Sequence, residues 1–159
     1  MDSEPANLTQ QLEEQERRLQ MTRFDNDDAW RLGCLLVESA RDRGLGVTID
    51  IRRGGQQLFH CALPGTTADN DSWIERKNRV VQRFGASSFL VGQRHRDKGT
   101  TFDQATPHLA AADYAAHGGA FPVRVREVGV VGTVTVSGLP QAEDHALVVE
   151  ALERFLGEG

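Results

Sequence analysis

The chain has 159 residues and a mass of 17.5 kDa, the size of one domain, and its 39% hydrophobic and 26% charged residues are the balance of a chain that packs a core, which excludes disorder throughout. At this length roughly 68–70% of the unfolded surface can be buried, so neither disulfides nor a structural metal is required. Eighteen Lys and Arg against 23 Asp and Glu leave a net charge of -5, which excludes a generic binder of nucleic-acid backbones, and no run approaches the ~18 apolar residues of a membrane span.

Residues 1–20 are polar, but Leu8, Leu12 and Leu19 fall on one narrow helical stripe behind a cap at Asn7. Residues 1–23 are therefore read as a helical extension that docks on its own domain or on a neighbouring subunit, and 24–159 as a single domain. Asp25 or Asn26 caps a stronger helix with Trp30, Gly33, Leu36, Val37 and Ala40 inward, ended at Gly44. Val47, Ile49 and Ile51 alternate, Gly54-Gly55 turns the chain, and Leu58, Phe59 and Cys61 return it, which spells a β-hairpin.

After the break at Pro64-Gly65, residues 67–70 start a helix with Trp73, Ile74, Val80, Val81 and Phe84 on its inner face, stopped at Gly85. Ser87 or Ser88 caps a short helix that ends in the basic run Arg94, His95, Arg96 and Lys98. Pro107 opens an Ala-rich helix, HLAAADYAAH, closed by Gly118-Gly119. Strands are expected over 121–125 and 128–136, and a last helix buries Val148, Val149, Leu152, Phe155 and Leu156. Hairpin pairs separated by helices define an α+β class, an antiparallel β-sheet covered by helices on both faces.

The run HGGAFPVRVREVGVVGTVTVSGLPQAEDHALVVEAL resembles the C-terminal signature of the haem-degrading-domain family, the GlcG/HbpS-like proteins. The positions that carry the likeness are Gly118, Gly119, Phe121, Pro122, Gly132, Val136, Ser137, Gly138 and Asp144. The stretch FHCALPGTTADNDSWIERK and the run AAHGGAFP resemble one branch of that superfamily, and the likeness extends from Phe24 to Leu156. The resemblance implies an α/β/α layered fold that assembles into symmetric homo-oligomers, with haem bound by some members.

Lys77 stands in the middle of an apolar helix face, where an ammonium must reach the edge or meet an anion. Asp50 is the expected anion, on the strand face opposite Val47, Ile49 and Ile51. Such a pair is either a structural ion pair or part of an anion or propionate site completed by Arg52 or Arg53. His145 lies on the inner face of the last helix near its N-terminus, where a neutral ring is favoured. His117, before the Gly118-Gly119 pair, could ligate a metal or haem exposed by a tight turn, and two glycines let backbone approach a ligand.

Ser137, Asp144 and His145 do not read as a triad, because helix neighbours diverge and no GxSxG elbow is present. His60, His95 and His108 are weaker candidates, and with no HxH or HExxH spacing no preformed metal site is expected. The glycine runs lack a phosphate-loop lysine and do not match GxGxxG. Cys34 and Cys61 fall in no CxxC spacing and read as reduced thiols of a cytoplasmic protein without a secretory leader.

Two functions remain open. One is an oligomer that binds haem or another small anionic ligand through Lys77, Arg52, Asp50, His117, Gly118, Gly119, Ser137 and His145. The other is a non-enzymatic homo-oligomeric interaction module in which these residues hold subunits together and no cofactor is bound.

Overall fold

A computed structural model describes residues 4–158. In chain order the elements are α1 (Glu4–Arg18), α2 (Asn26–Asp42), β1 (Thr48–Arg53), β2 (Gln56–Ala62), α3 (Ala68–Phe84), α4 (Ser88–Asp97), α5 (Phe102–Ala105), β3 (Ala120–Val125), β4 (Gly129–Ser137) and α6 (Gln141–Glu158). Capping places the major helices: the Asp25 carboxylate accepts from Asp28 N, Thr67 forms a reciprocal box with Asn70, and Ser87 accepts from Leu90 N.

The sheet has the order β2-β1-β4-β3 and is antiparallel throughout. Because side chains alternate along each strand, the register that sets Ile49 beside Val136 and Ile51 beside Val134 gathers the apolar side chains on one face. There Val47, Ile49, Phe121 and Val134 pack against Leu32 and Leu36 of α2 and Leu147, Val148 and Leu152 of α6. Burying each such side chain contributes about 1.5–3 kcal/mol. The other sheet face is polar and equally buried, with Thr48, Asp50, Thr133, Thr135 and Ser137 beneath α3.

The N-terminal helix docks on its own chain. Leu12 joins Val80, Phe89, Leu90 and Phe102 in a second apolar cluster, and the Glu16 carboxylate accepts from Ser87 N at 2.6 Å and Arg124 Nη2 at 3.2 Å. Met21 then bridges to β3, accepting from Arg126 N and donating to Arg124 O, both at 2.8 Å, which covers that sheet edge.

Several expectations are corrected. Asn7 lies inside α1 rather than capping it, because the helix starts at Glu4. On α2 the buried positions besides Asp28 are Ala29, Leu32, Gly33, Leu36 and Ala40, while Trp30 is 62% exposed. Phe84 also faces outward. The Ala-rich run forms no helix: its turns are held as a strap across α3, with Arg76 Nη2 donating to Ala111 O at 2.9 Å and Arg79 Nη1 to Asp113 O at 3.1 Å. A short alanine helix has little stability of its own in water, and carbonyls captured from outside are lost to its ladder. A four-residue helix forms instead just before it, capped by Thr101 and anchored by buried Phe102.

Candidate functional site

At one end of the polar sheet face, the start of α3, the end of β4 and the start of α6 enclose a cleft of about 300 Å³. Lys77 forms its floor. A helical side chain leans toward its own N-terminus, so Lys77 reaches the end of β4 rather than the middle of the sheet. Its Nζ donates to Val136 O at 2.7 Å, Gly118 O at 3.1 Å and Asp144 Oδ2 at 3.4 Å, which engages all three ammonium hydrogens.

Asp144 accepts in addition from Leu139 N at 2.9 Å and Gly138 N at 3.4 Å. Burial pushes this carboxyl up to about 6 against the opposing pull of Lys77 and the two amides. Burial likewise pushes Lys77 down, and Asp144 opposes it. With every donor and acceptor engaged, we read the two as an ion pair at neutral pH.

Asp50 is therefore not the partner of Lys77. It pairs across the sheet with Thr135, and its carboxylate accepts from Arg52 Nε at 3.0 Å, Gln57 Nε2 at 2.7 Å and Asn78 Nδ2 at 3.3 Å. Arg52 forks onto Glu75 at 2.7 and 3.1 Å, which holds that carboxyl below its usual range. Asp50 and Arg52 thus belong to a closed network and do not line the cleft. The neighbouring helix residue, Asn78, takes the place expected of Lys77.

The glycine pair lets the turn close onto the lysine. A Cβ on Gly119 would lie 2.3 Å from Lys77 Nζ and 2.4 Å from Val136 O, and its φ of +138° already disfavours any side chain. Gly118 lines the cleft, its N–H donating to Gln141 Oε1 at 2.9 Å. His117 stands exposed at the mouth, edge-on to Trp73 at 5.4 Å, with the Arg76 guanidinium 4.5 Å from the Trp73 ring centre. Partial burial first, then the charges of Arg76 and Lys77, lower its pKa and favour the neutral ring. Ser137 Oγ accepts from Asn70 Nδ2 at 3.3 Å in the same cleft.

His145 lies elsewhere. It is 3% exposed, its Nε2 sits 2.7 Å from Gln15 Oε1 of α1, and Phe89 and Phe121 flank the ring. Burial holds it down to about 4, so it is neutral. Ser137, Asp144 and His145 each have separate partners, as expected from their divergent directions.

The cleft therefore unites Lys77, His117, Gly118 and Ser137, sets Gly119 against its floor, and leaves out Asp50, Arg52 and His145. Sequence reasoning missed Trp73, Asn70 and Gln141 as lining residues and noted Asp144 only as a position of family likeness and as a member of a triad it rejected, not as the partner of Lys77. The available signal was an acid in the first turn of a helix after Ser137-Gly138-Leu139-Pro140, where a carboxylate can turn back onto loop amides.

Four antiparallel strands between helical layers, with a polar cleft at one end of the sheet, define a three-layer α+β domain. Residues 24–153 match the family described as haem degrading protein HbpS-like, and the chain belongs to that family. It is 68% identical over 148 residues to a UPF0303 protein of Streptomyces coelicolor, covering 93% of each chain. Among solved structures it resembles the Ybr137w protein with a TM-score of 0.85 and 34% identity, covering 94% of this chain and 88% of that one. A heme complex of PduOC shares the fold with a TM-score of 0.68 at 16% identity, covering 82% of this chain and 93% of that one. No described helix is long and apolar enough to cross a membrane.

Proposed function

We propose that the Lys77–His117 cleft binds a carboxylate-bearing ligand, either haem entering through its propionate edge or a small free carboxylate. The observation that carries this reading is the convergence of His117, Trp73 and Ser137 on one cleft with the Arg76 guanidinium beside its mouth, above a floor where Lys77 is held by Asp144. Haem needs an axial donor and a cation for its propionates. Neutral His117 would be the imidazole that holds the iron, Arg76, whose Nη2 already donates to Ala111 O, would offer its remaining N–H groups to a propionate, and bound haem would supply redox chemistry at its iron. A cleft of about 300 Å³ is at the small end of ligand sites, so a compact carboxylate fits whole and a macrocycle only by an edge. Support from outside the chain is the family's description and the heme complex of a protein with the same fold.

Hemin titration tests the reading. A Soret shift that saturates at one equivalent and is lost in His117→Ala is the expected result for haem. No shift, together with a rise in melting temperature on adding millimolar citrate that Ser137→Ala removes, assigns the site to a small carboxylate. Neither response would overturn the reading.

We further propose a cytoplasmic homo-oligomer. Cys34 and Cys61 are free and half-buried, in keeping with a reducing compartment. The exposed indole of Trp30 borders an apolar groove that a second copy would cover. That groove also favours the reading in which the protein is chiefly an interaction module.

A further inference from the structure

A second cleft, of about 490 Å³, lies where the α1–α2 linker, the start of α2, the end of α6 and the end of β3 meet, and it shares no residue with the first. Four arginines line it: Arg18, Arg23, Arg31 and Arg126. In a chain of net charge -5 this is a local reversal of sign.

The carboxylates present do not balance it. Asp28 is buried and answers two of the four, at 2.7 Å from Arg31 Nη2 and 3.7 Å from Arg23 Nε, while also accepting from Asp25 N. Arg18 pairs with Glu153 at 3.1 Å. Arg126 makes no side-chain hydrogen bond or ion pair with the described residues, although its backbone is fixed by the bond from its N–H to Met21 O. Arg31 is pre-positioned as well, lying over the Phe155 ring at 4.6 Å from its centre. The result is a concave site with hydrogen-bonded backbone on one wall, an aromatic platform on another, and guanidinium forks exceeding the carboxylates that answer them.

We propose that this cleft binds a compact polyphosphate group, such as pyrophosphate or the diphosphate of a nucleotide. Planar guanidiniums present paired N–H donors at the spacing of phosphate oxygens, and several forks around one cavity suit an anion with more than one negative charge. A concave volume selects a small ligand over an extended polyanion, which would use a flat stripe.

Isothermal titration with inorganic pyrophosphate, orthophosphate and citrate tests it. The expected result is one pyrophosphate per chain, bound at least tenfold more tightly than orthophosphate or citrate. Arg126→Ala should weaken pyrophosphate at least tenfold without moving the melting temperature, since the Arg126 side chain makes no hydrogen bond or ion pair with the described residues and the variant keeps the backbone bond to Met21 O. Arg31→Ala should weaken it similarly. Arg83→Ala, which removes the same charge from the end of α3, should leave it unchanged. The proposal is overturned by absent binding at millimolar pyrophosphate, by equal binding of citrate, or by equal losses in Arg83→Ala and Arg126→Ala. Hemin titration of Arg126→Ala should match the wild type, so the two sites fail or succeed separately.

Discussion

Two buried residues decide how the cleft end of the molecule responds to charge. Lys77 is 2% exposed and Asp144 3%, so removing one leaves the other as an unpaired buried charge. Lys77→Met should lower stability by about 3–5 kcal/mol in urea unfolding, and the double variant Lys77→Met/Asp144→Asn should recover much of it. A single variant as stable as the wild type would show the pair to be dispensable. His145 is legible from its place on the inner face of α6, but its partner is not, because Gln15 lies 130 positions away on a helix whose docking the sequence left open.

The pH behaviour of that histidine follows from its depressed pKa of about 4. The native state binds fewer protons than the unfolded chain between about 4 and the ordinary 6.5, so this contribution is complete above 6.5 and is lost as pH falls toward 4. Asp144, raised to about 6, acts in the opposite sense over the overlapping range, its contribution lost as pH rises. His145→Gln separates them. The stability difference between wild type and variant should move by about 2–3 kcal/mol against the wild type between pH 7 and 4.5. Parallel pH profiles of the two proteins would refute the assignment.

At the scale of elements, what periodicity and capping control was readable, and what long-range hydrogen bonding controls was not. The strands and helices α2, α3 and α6 follow from alternation, caps and apolar stripes. The segment after Pro107 carries a genuine helix signal in its alanines, but its carbonyls go to Arg76 and Arg79 of α3, an arrangement no local window contains. Spacing likewise placed Lys77 on the inner face of α3 yet did not tell Asp50 from Asp144, because the choice depends on which end of the sheet the side chain leans toward.

Close backbone approaches give this scale its test. A Cβ on Gly132 of β4 would stand 1.9 Å from Arg52 O of β1, whereas one on Gly55 in the hairpin meets nothing within 4 Å. Gly132→Ala should spread the two central strands and cost more than about 3 kcal/mol or prevent soluble expression, while Gly55→Ala should stay within about 0.5 kcal/mol. Chemical denaturation of the pair checks this, and equal midpoints would contradict the strand approach.

For the whole molecule, the decisive feature is what the fold leaves uncovered. One sheet edge is closed by the Met21 bridge, but β2 forms the other edge and carries no Lys, Arg, Asp, Glu or Pro, the residues that keep edges from pairing. Beside it a groove of about 580 Å³ is lined by Trp30, Cys34, Val37, Leu58, Phe59 and Cys61, with Glu38 and Arg41 supplying opposite charges at the same place. A two-fold axis along this edge would bring β2 against its copy, bury the indole that stands 62% exposed in one chain, and set Glu38 of each subunit toward Arg41 of the other. The sequence put Trp30 on the inner face of α2, and only the sheet's position shows that it faces away from this chain's core. Light scattering after gel filtration should find an oligomer at micromolar concentration, and Trp30→Glu should shift it to a smaller species with unchanged circular dichroism. Because Trp30 does not line the Lys77–His117 cleft, ligand binding there should survive in the smaller species; a strictly monomeric wild type, or an assembly untouched by Trp30→Glu, would remove this face as the contact.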